Sequence, residues 1–551
     1  MSALPAAASA EADSDLWHRL EQLNAIGASL SAERDINRLL ESILMAAKTI
    51  THADGGTLYR LTEEKTLRFE IMRTTSLKYY LGGTTGNPVP FYPIHLMGKD
   101  GKPNHSLIAA YVALTGKTVN IPDAYTAEGF DFTGTRNFDK KTGYRSKSFL
   151  AVPMKNHENE IIGVLQLLNA INPKTGEISA FSPSDQRLAE SLASQATIAL
   201  TNRMLIIQLE ELFESFISLI NLAIDEKSPY TGGHCQRVPS LTMMIAEAVN
   251  ETSEDPLKSF TMSDKDRYEL KIAGLLHDCG KVTTPVHVVD KATKLETLFD
   301  RIHLIDTRFE VLRRDAEIVL LKEKALLVAA GAPHGQLDAA DARHRDRLRR
   351  LDEDRAFLRA SNIGGEAMRE PDQERVRAIA KYRWTDIAGH EANFLSEDEL
   401  KNLTIRAGTL TGEERQIINH HIVATIRMLE ALPWPKHLTN VPEYAGGHHE
   451  RMDGKGYPKG LTREQMSVQA RCMGIADIFE ALTAKDRPYK KGKTMSESLE
   501  ILGKFRLNGH IDPDLFDVFV RKKVYRRYAE MFLDKEQIDE VDESKIPGYT
   551  P

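Results

Sequence analysis

The stretch SPSDQRLAESLASQATIALTNRMLIIQLEELFESFISLINLAI, residues 182–224, constrains this chain more than any other. Apolar residues recur in it at intervals of three and four with no internal breaker, so it reads as one helix. Ser182 is a suitable N-cap and Pro183 sits just inside the start. A run this long exceeds what one globular core covers, and a connecting helix over 182–226 with a dimeric coiled-coil portion is expected. It also parts two kinds of sequence. Before it, a helical pattern over 17–50 leads into short β-type runs: GGTLYRLT, LRFEIMRT, SFLAVPMKN and IIGVLQLLNAI. The last two flank the turn-like HENE, as in a hairpin. From 227 onward strand signals almost vanish, and HCQRVPSLTMMIAEAVN, SDKDRYELKIAGLLHDCG, TGEERQIINHHIVATIRMLEAL and MSVQARCMGIADIFEALTA all have helical period. The expected fold class is multidomain: an α+β sensor-like unit, then an all-α unit.

At 551 residues the chain is too long for a single core. A net charge of −7 gives no general attraction to nucleic acid. Within 300–400, two helical stretches joined by GAPHGQL predict an antiparallel hairpin inserted in the all-α unit. Basic and acidic residues alternate along it, which again argues against nucleic acid. The opening MSALPAAASAEADSDLW has neither a basic n-region nor a sustained apolar h-region. The greasiest runs, such as AEIVLLKEKALLVAA, are broken by charge before they could span a membrane. Cys235, Cys279 and Cys472 lie far apart without CxxC spacing, as in a reducing compartment. A cytoplasmic protein with neither membrane nor nucleic-acid partner is therefore expected.

The helical half places chemistry-bearing residues at suggestive positions: His234, His277–Asp278, His420–His421, His448–His449 and Asp477. One histidine beside an apolar face is more often a hydrogen-bonded core or surface residue than a ligand. As a set they suit a metal centre, since neutral imidazoles bind Fe, Mn or Zn and a carboxylate can bridge two ions. Such a centre activates water and neutralises a phosphoryl group. Lys281 lies about one turn beyond His277, where an ammonium could face a phosphate oxygen. Composition and spacing go as far as a metal-dependent phosphohydrolase.

The ordered text YTGGHCQRV, LLHDCGKV, LTGEERQIINHH, HHERMDGKGYP, IADIFEALTAKDRPY and NGHIDPDLFDVF covers about 227–525. It resembles the HD-GYP family of cyclic-di-GMP phosphodiesterases, a branch of the HD superfamily. The resemblance implies two divalent metal ions, Fe or Mn, held by His234, His277, Asp278, His421, His448, His449 and Asp477, with Asp278 bridging. It gives Lys281 a phosphate-contacting catalytic role beside Asp278. Gly456, Tyr457 and Pro458 would shape the substrate pocket, while Arg237 and Arg487 would either contact phosphate or form structural salt bridges. Counting eleven places from Leu410 of LTGEE selects His421 over His420, and His303 fits the pattern less well. The implied reaction is metal-assisted hydrolysis of cyclic-di-GMP to linear pGpG, with GMP on further cleavage. Two departures stand out: Glu480 where the family usually has aspartate, and Tyr230 where members with a third ion carry glutamate.

The region 16–200 resembles a GAF domain, most tellingly in TRNFDKKTGYRSKSFLAVPMKNHENEIIGVLQLLNA. That resemblance implies a small ligand, a cyclic mononucleotide or another, with Asn137, Phe138 and Asp139 as its weakly matched contacts. The expected organisation is a flexible 1–15, a GAF domain over 16–200, the helix 182–226 of a homodimer, and an HD-GYP domain over 227–530. A helical insertion occupies 300–400 and a tail 531–551. Two rival readings compete: a non-catalytic cyclic-dinucleotide-responsive module, and a phosphohydrolase acting on another cyclic dinucleotide or nucleotide.

Overall fold

A computed structural model describes residues 19, 21–98, 100–227, 233–365, 367–485 and 492–550. The expected flexible segment 1–15 lies outside them. The chain divides into two compact units, with the boundary between Phe213 and Glu214.

In the first unit the helix expected across 17–50 is two, α1 over 21–32 and α2 Ile36–Thr51. The break follows from Asp35, whose carboxylate caps α2 by accepting from the Arg38 N–H. The eight-stranded sheet comprises β1 Ala53–Leu61, β2 Thr66–Thr74, β3 Tyr79–Gly82, β4 Ile94–His95, β5 Val119–Ile121, β6 Phe149–Lys155, β7 Ile161–Ile171 and β8 Ile178–Ser179. Its main order is β3-β2-β1-β7-β6-β5, and the pairs of this path are antiparallel. The β6–β7 pair is the hairpin expected around HENE.

Strand alternation sends successive side chains to two cores. Leu58, Leu150, Val152, Leu165 and Leu167 join Leu39, Ile43 and Leu44 of α2 and Leu188 and Leu192 of the long helix. Tyr59, Phe149, Ala151 and Val164 join a second cluster on α3 Ile108–Thr115. α4 Thr133–Thr142 carries the residues matched to a ligand role. The long helix, α5, runs Pro183–Lys227. Leu205, Leu209, Leu212, Phe216 and Leu219 are exposed along it, spaced alternately by four and three.

The second unit is mostly helical: α6 His234–Asn250, α7 Asp264–Leu276, α8 Ile302–Ala329, α9 His334–Asn362, α10 Glu370–Ala380, α11 Glu397–Leu403, α12 Gly412–Glu430, α13 Val441–Gly446, α14 Val468–Thr483, α15 Met495–Leu507, α16 Pro513–Arg521 and α17 Val524–Phe532. α6 packs against α7 and α14, and α13 against α7, α12 and α14. Several starts are written in the sequence. The LTGEE text is a capping box: Thr411 Oγ1 accepts from the Glu414 N–H at 3.2 Å, and Glu414 accepts from the Thr411 N–H at 2.8 Å. Glu414 also receives the buried Lys291 ammonium at 2.8 Å.

Within 300–400, α8 and α9 run antiparallel, tied by Lys324–Asp341, Glu323–Arg343 and the pair Arg355 and Arg359 on Asp306. The segment holds more than helices. A two-stranded hairpin, β9 Arg383–Thr385 with β10 Glu391–Asn393, closes over the turn DIAG. Its core joins Leu295, Phe309, Leu358, Val376, Phe394 and Leu403, with the Phe309 and Phe394 rings 4.6 Å apart. Replacing Phe309 by alanine removes the ring at the middle of this core. Phe309→Ala should lower stability by about 3–5 kcal/mol, read as a lowered denaturation midpoint of the second unit.

Candidate metal centre

Five segments of the second unit converge on one buried carboxylate. His234 opens α6, and His277 and Asp278 follow the last turn of α7. Lys281 lies in the 3-10 turn Cys279–Thr283, and His421 is in α12. His448 and His449 come just after α13, and Asp477 is in α14. Asp278 Oδ2 is 3.1 Å from His234 Nε2 and 3.2 Å from His277 Nε2. Its other oxygen, Oδ1, is 3.3 Å from His421 Nε2. Asp477 Oδ1 lies 3.3 Å from His234 Nε2, and His449 Nε2 is 3.2 Å from His421 Nε2. The donors form two sets, His234–His277–Asp278 and His421–His448–His449, each within 4.8 Å internally. Asp278 thus presents one oxygen to each set.

The backbone determines which imidazole nitrogen points inward. Nδ1 of His277, His421 and His448 donates to the carbonyl three residues earlier, on Gly274, Ile418 and Ala445. That leaves each Nε2 as the lone-pair atom, the form a metal requires. In His234 the same office falls to a side chain: Nδ1 meets Glu480 Oε2, while Glu480 Oε1 takes Arg237 Nε at 2.7 Å.

Glycine brings the walls together. The Gly280 N–H donates to Thr425 Oγ1 at 2.9 Å, and a Cβ there would lie 2.0 Å from the His421 carbonyl oxygen. The turn after Asp278 therefore touches α12 only because it carries no side chain. The loop after His449 is pinned by Glu450, which accepts from the Lys459 and Leu461 N–H groups at 2.7 and 2.8 Å. A Cβ on Gly456 would lie 2.4 Å from the Arg451 nitrogen, and the Tyr457 ring stacks on His449 at 4.8 Å.

Charge in the cluster is strongly skewed. Burial alone would raise the Asp278 carboxyl, but Lys281 and the His277 and His234 imidazoles hold it well below the carboxylate range. Asp477 is lowered as well, its burial outweighed by His234, His448 and His449. Burial pushes His448 well below the usual imidazole range, and puts His449 at about 4. Both are neutral near pH 7, the ligand form. Burial also opposes charge on His234, yet Asp278, Asp477 and Glu480 raise it well above its ordinary value.

The donor set fits divalent ions. Both Asp278 oxygens and His448 Nε2 are buried without a directed hydrogen bond. Lys281 Nζ pairs with Oδ2 at 2.6 Å, and the crowded lone pairs that remain face a common space that ions would satisfy.

Residues 35–200 match the GAF domain family, and the HD domain matches over 231–373 and again over 397–515. The chain joins a GAF domain to an HD domain. Stretches of it resemble a cyclic di-GMP phosphodiesterase of Pseudomonas aeruginosa, 39% identical over 116 residues, 21% of this chain and 27% of the relative. A stretch of it also resembles 3'3'-cGAMP-specific phosphodiesterase 1 of Vibrio cholerae, 43% identical over 81 residues, 15% of this chain and 19% of the relative. A cyclic di-GMP phosphodiesterase of Thermotoga maritima is 32% identical over 131 residues, 23% of this chain and 34% of that one. The matched stretches thus span between 19% and 34% of these relatives.

In the HD domain the structure brings His234, His277, Asp278, Lys281, His421, His448, His449 and Asp477 together, with Tyr457 at their edge. His420 and His303 are exposed and outside the two donor sets. Arg237 pairs with Glu480. Arg487 and Tyr230 lie outside the described residues. In the GAF domain, Asn137, Phe138 and Asp139 fall on successive directions of α4. Asn137 is exposed and Phe138 half-buried. Asp139 is buried, with its oxygens on Ser146 and the Tyr125 hydroxyl. Sequence reasoning missed what Glu480 and Glu450 do; the visible signal was H-x-x-R in α6 against D-x-x-E in α14.

Gly280→Ala should force the His421 turn away from Asp278 and weaken metal affinity at least about tenfold, the lower end for a disturbed ligand shell; titration of the purified variant with Mn2+ against a chelator measures it. The depressed His449 gives the metal-free protein stability that is fully present above about pH 6.5 and lost as pH falls toward about 4. His448 acts in the same direction. Denaturant unfolding between pH 4 and 7 should therefore show a shallower rise with pH in His449→Gln than in the wild type.

Proposed function

We propose that this chain is a metal-dependent phosphodiesterase that hydrolyses cyclic-di-GMP to pGpG, and onward to GMP, under control of its GAF domain. The observation that carries the reading is Asp278, with one oxygen facing each of two imidazole sets. Asp278 would bridge two divalent ions, Fe or Mn. His234, His277 and Asp477 would hold one ion, and His421, His448 and His449 the other. Bound there, the ions would supply an activated water and neutralise phosphoryl oxygens.

The protein's own groups would do the rest. The Lys281 ammonium would meet a non-bridging phosphate oxygen and offset charge gathering on the departing ribose oxygen. Tyr457, stacked on His449, would form one wall for the substrate, with Gly456 and Pro458 shaping the loop behind it. Arg487 would contact a phosphate. Arg237 is better placed to hold Glu480 than to meet substrate.

One relative is named for 3'3'-cGAMP, which favours a second reading with that cyclic dinucleotide as substrate. The GAF domain would bind a cyclic mononucleotide or another small ligand. The exposed stripe from Leu205 to Leu219 has heptad spacing and would pair with a second copy in a homodimer. The three buried free cysteines suit a cytoplasmic setting.

Anaerobically purified protein should carry close to two ions per chain and cleave cyclic-di-GMP, with 3'3'-cGAMP and product formation followed in parallel. Asp278→Ala should lose turnover by at least roughly 100-fold, the scale of removing a preorganised electrostatic group. Full turnover in that variant, or bound metal with no turnover of either dinucleotide, would sink the proposal.

A further inference from the structure

His277, His421 and His448 share one device for aiming Nε2 inward: Nδ1 donates to a backbone carbonyl three residues back. His234 is the first residue of α6, so no preceding turn of its helix can supply that carbonyl. Its Nδ1 instead meets Glu480 Oε2, contributed by α14 from 246 positions away. Glu480 is only 1% exposed, and its second oxygen takes Arg237 at 2.7 Å from Nε and 2.6 Å from a terminal nitrogen. Residues three apart share a helix face. His234 and Arg237 thus face Asp477 and Glu480 across two packed helices.

We propose that Glu480 is a positioning residue, which with Arg237 orients His234 so that Nε2 is delivered to the metal centre. The inference rests on the metal-centre reading above and assigns no contact between Glu480 and an ion. A carboxylate suits the place because both its oxygens accept and both neighbours donate. A glutamine could not serve both, since its amide nitrogen must face either His234 Nδ1 or the Arg237 guanidinium. Facing Nδ1, it would favour the tautomer whose Nε2 carries hydrogen and cannot ligate. Facing Arg237, it would set donor against cation and release the helix pair's lock on His234. Aspartate keeps both acceptors and gives up one methylene of reach.

The test compares the full chain as wild type, Glu480→Gln and Glu480→Asp, titrated with Mn2+ against a chromophoric chelator. Glu480→Gln should weaken one Mn2+ about 10–100-fold while leaving the other near its wild-type affinity. Glu480→Asp should recover much of that loss, a rescue that mere filling of space would not give. Two Mn2+ bound by Glu480→Gln at wild-type affinity would overturn the inference and leave the metal-centre reading standing. Absence of Mn2+ from the wild type would overturn both. Should Glu480→Gln fold poorly, Co2+-loaded wild type decides by proton NMR. A metal-shifted, exchangeable His234 Nδ1–H signal, absent from His234→Ala, is expected. Its absence would overturn the role of Glu480.

Discussion

The buried Asp278 carboxylate is the constraint on which the HD domain is built. Taking an ionised carboxylate out of water costs several kcal/mol unless opposite charge or donors surround it. Here the compensation comes from Lys281 three residues on, and from imidazoles on the helices and turns packed around it. Each wall of the site answers that need by its own local chemistry. Gly280 removes a side chain so that α12 can approach, the Thr411–Glu414 box starts α12 in register, and Glu450 ties down the loop after His449.

Much of this was legible in the sequence, because spacing along one segment is a local property. The pair His277–Asp278, the glycine after it, and the count from Leu410 to His421 are all readable within a dozen residues. The Glu480 contact is not. It joins positions 246 apart, and a glutamate in IFEAL looks like any acidic helix residue until α6 lies against α14. The same limit applies in the GAF domain. The runs that became β1, β2, β6 and β7 are long enough to read as β-type, whereas β3 and β5, four and three residues long, carry too few side chains to register. Asp139 matched a motif, yet its carboxylate is spent on Ser146 and Tyr125.

The segment 300–400 shows how composition can mislead in the other direction. α9 is so rich in charge that it reads as a solvated strut, and its far half is mostly exposed apart from Ala340. Its near half nevertheless buries Leu351 and Leu358 with Phe309, Val376 and Phe394, and the charges nearby are paired: Asp354 with Arg375, and Asp306 with Arg355 and Arg359. Leu351 and Leu358, seven apart on one face and joined by half-buried Phe357, seat the helix on this core although most residues around them are charged.

The donors of the metal centre come from residues 234 to 477, on segments that approach one another only when the domain is folded. An unfolded chain offers the same side chains with no common space between them. Ions that bind only the folded form would add stability as RT ln(1 + [L]/Kd), about 2.7 kcal/mol at a concentration 100 times Kd. Without ions, burial itself keeps His448 and His449 neutral, while neighbouring groups keep Asp278 and Asp477 ionised against the preference of a dry interior. The carboxylates are the part of the cluster that burial opposes, and Lys281 and the imidazoles around them offset that opposition. Function and stability meet on the same atoms: the groups that would bind metal are the ones that hold Asp278 and Asp477 ionised in the metal-free protein.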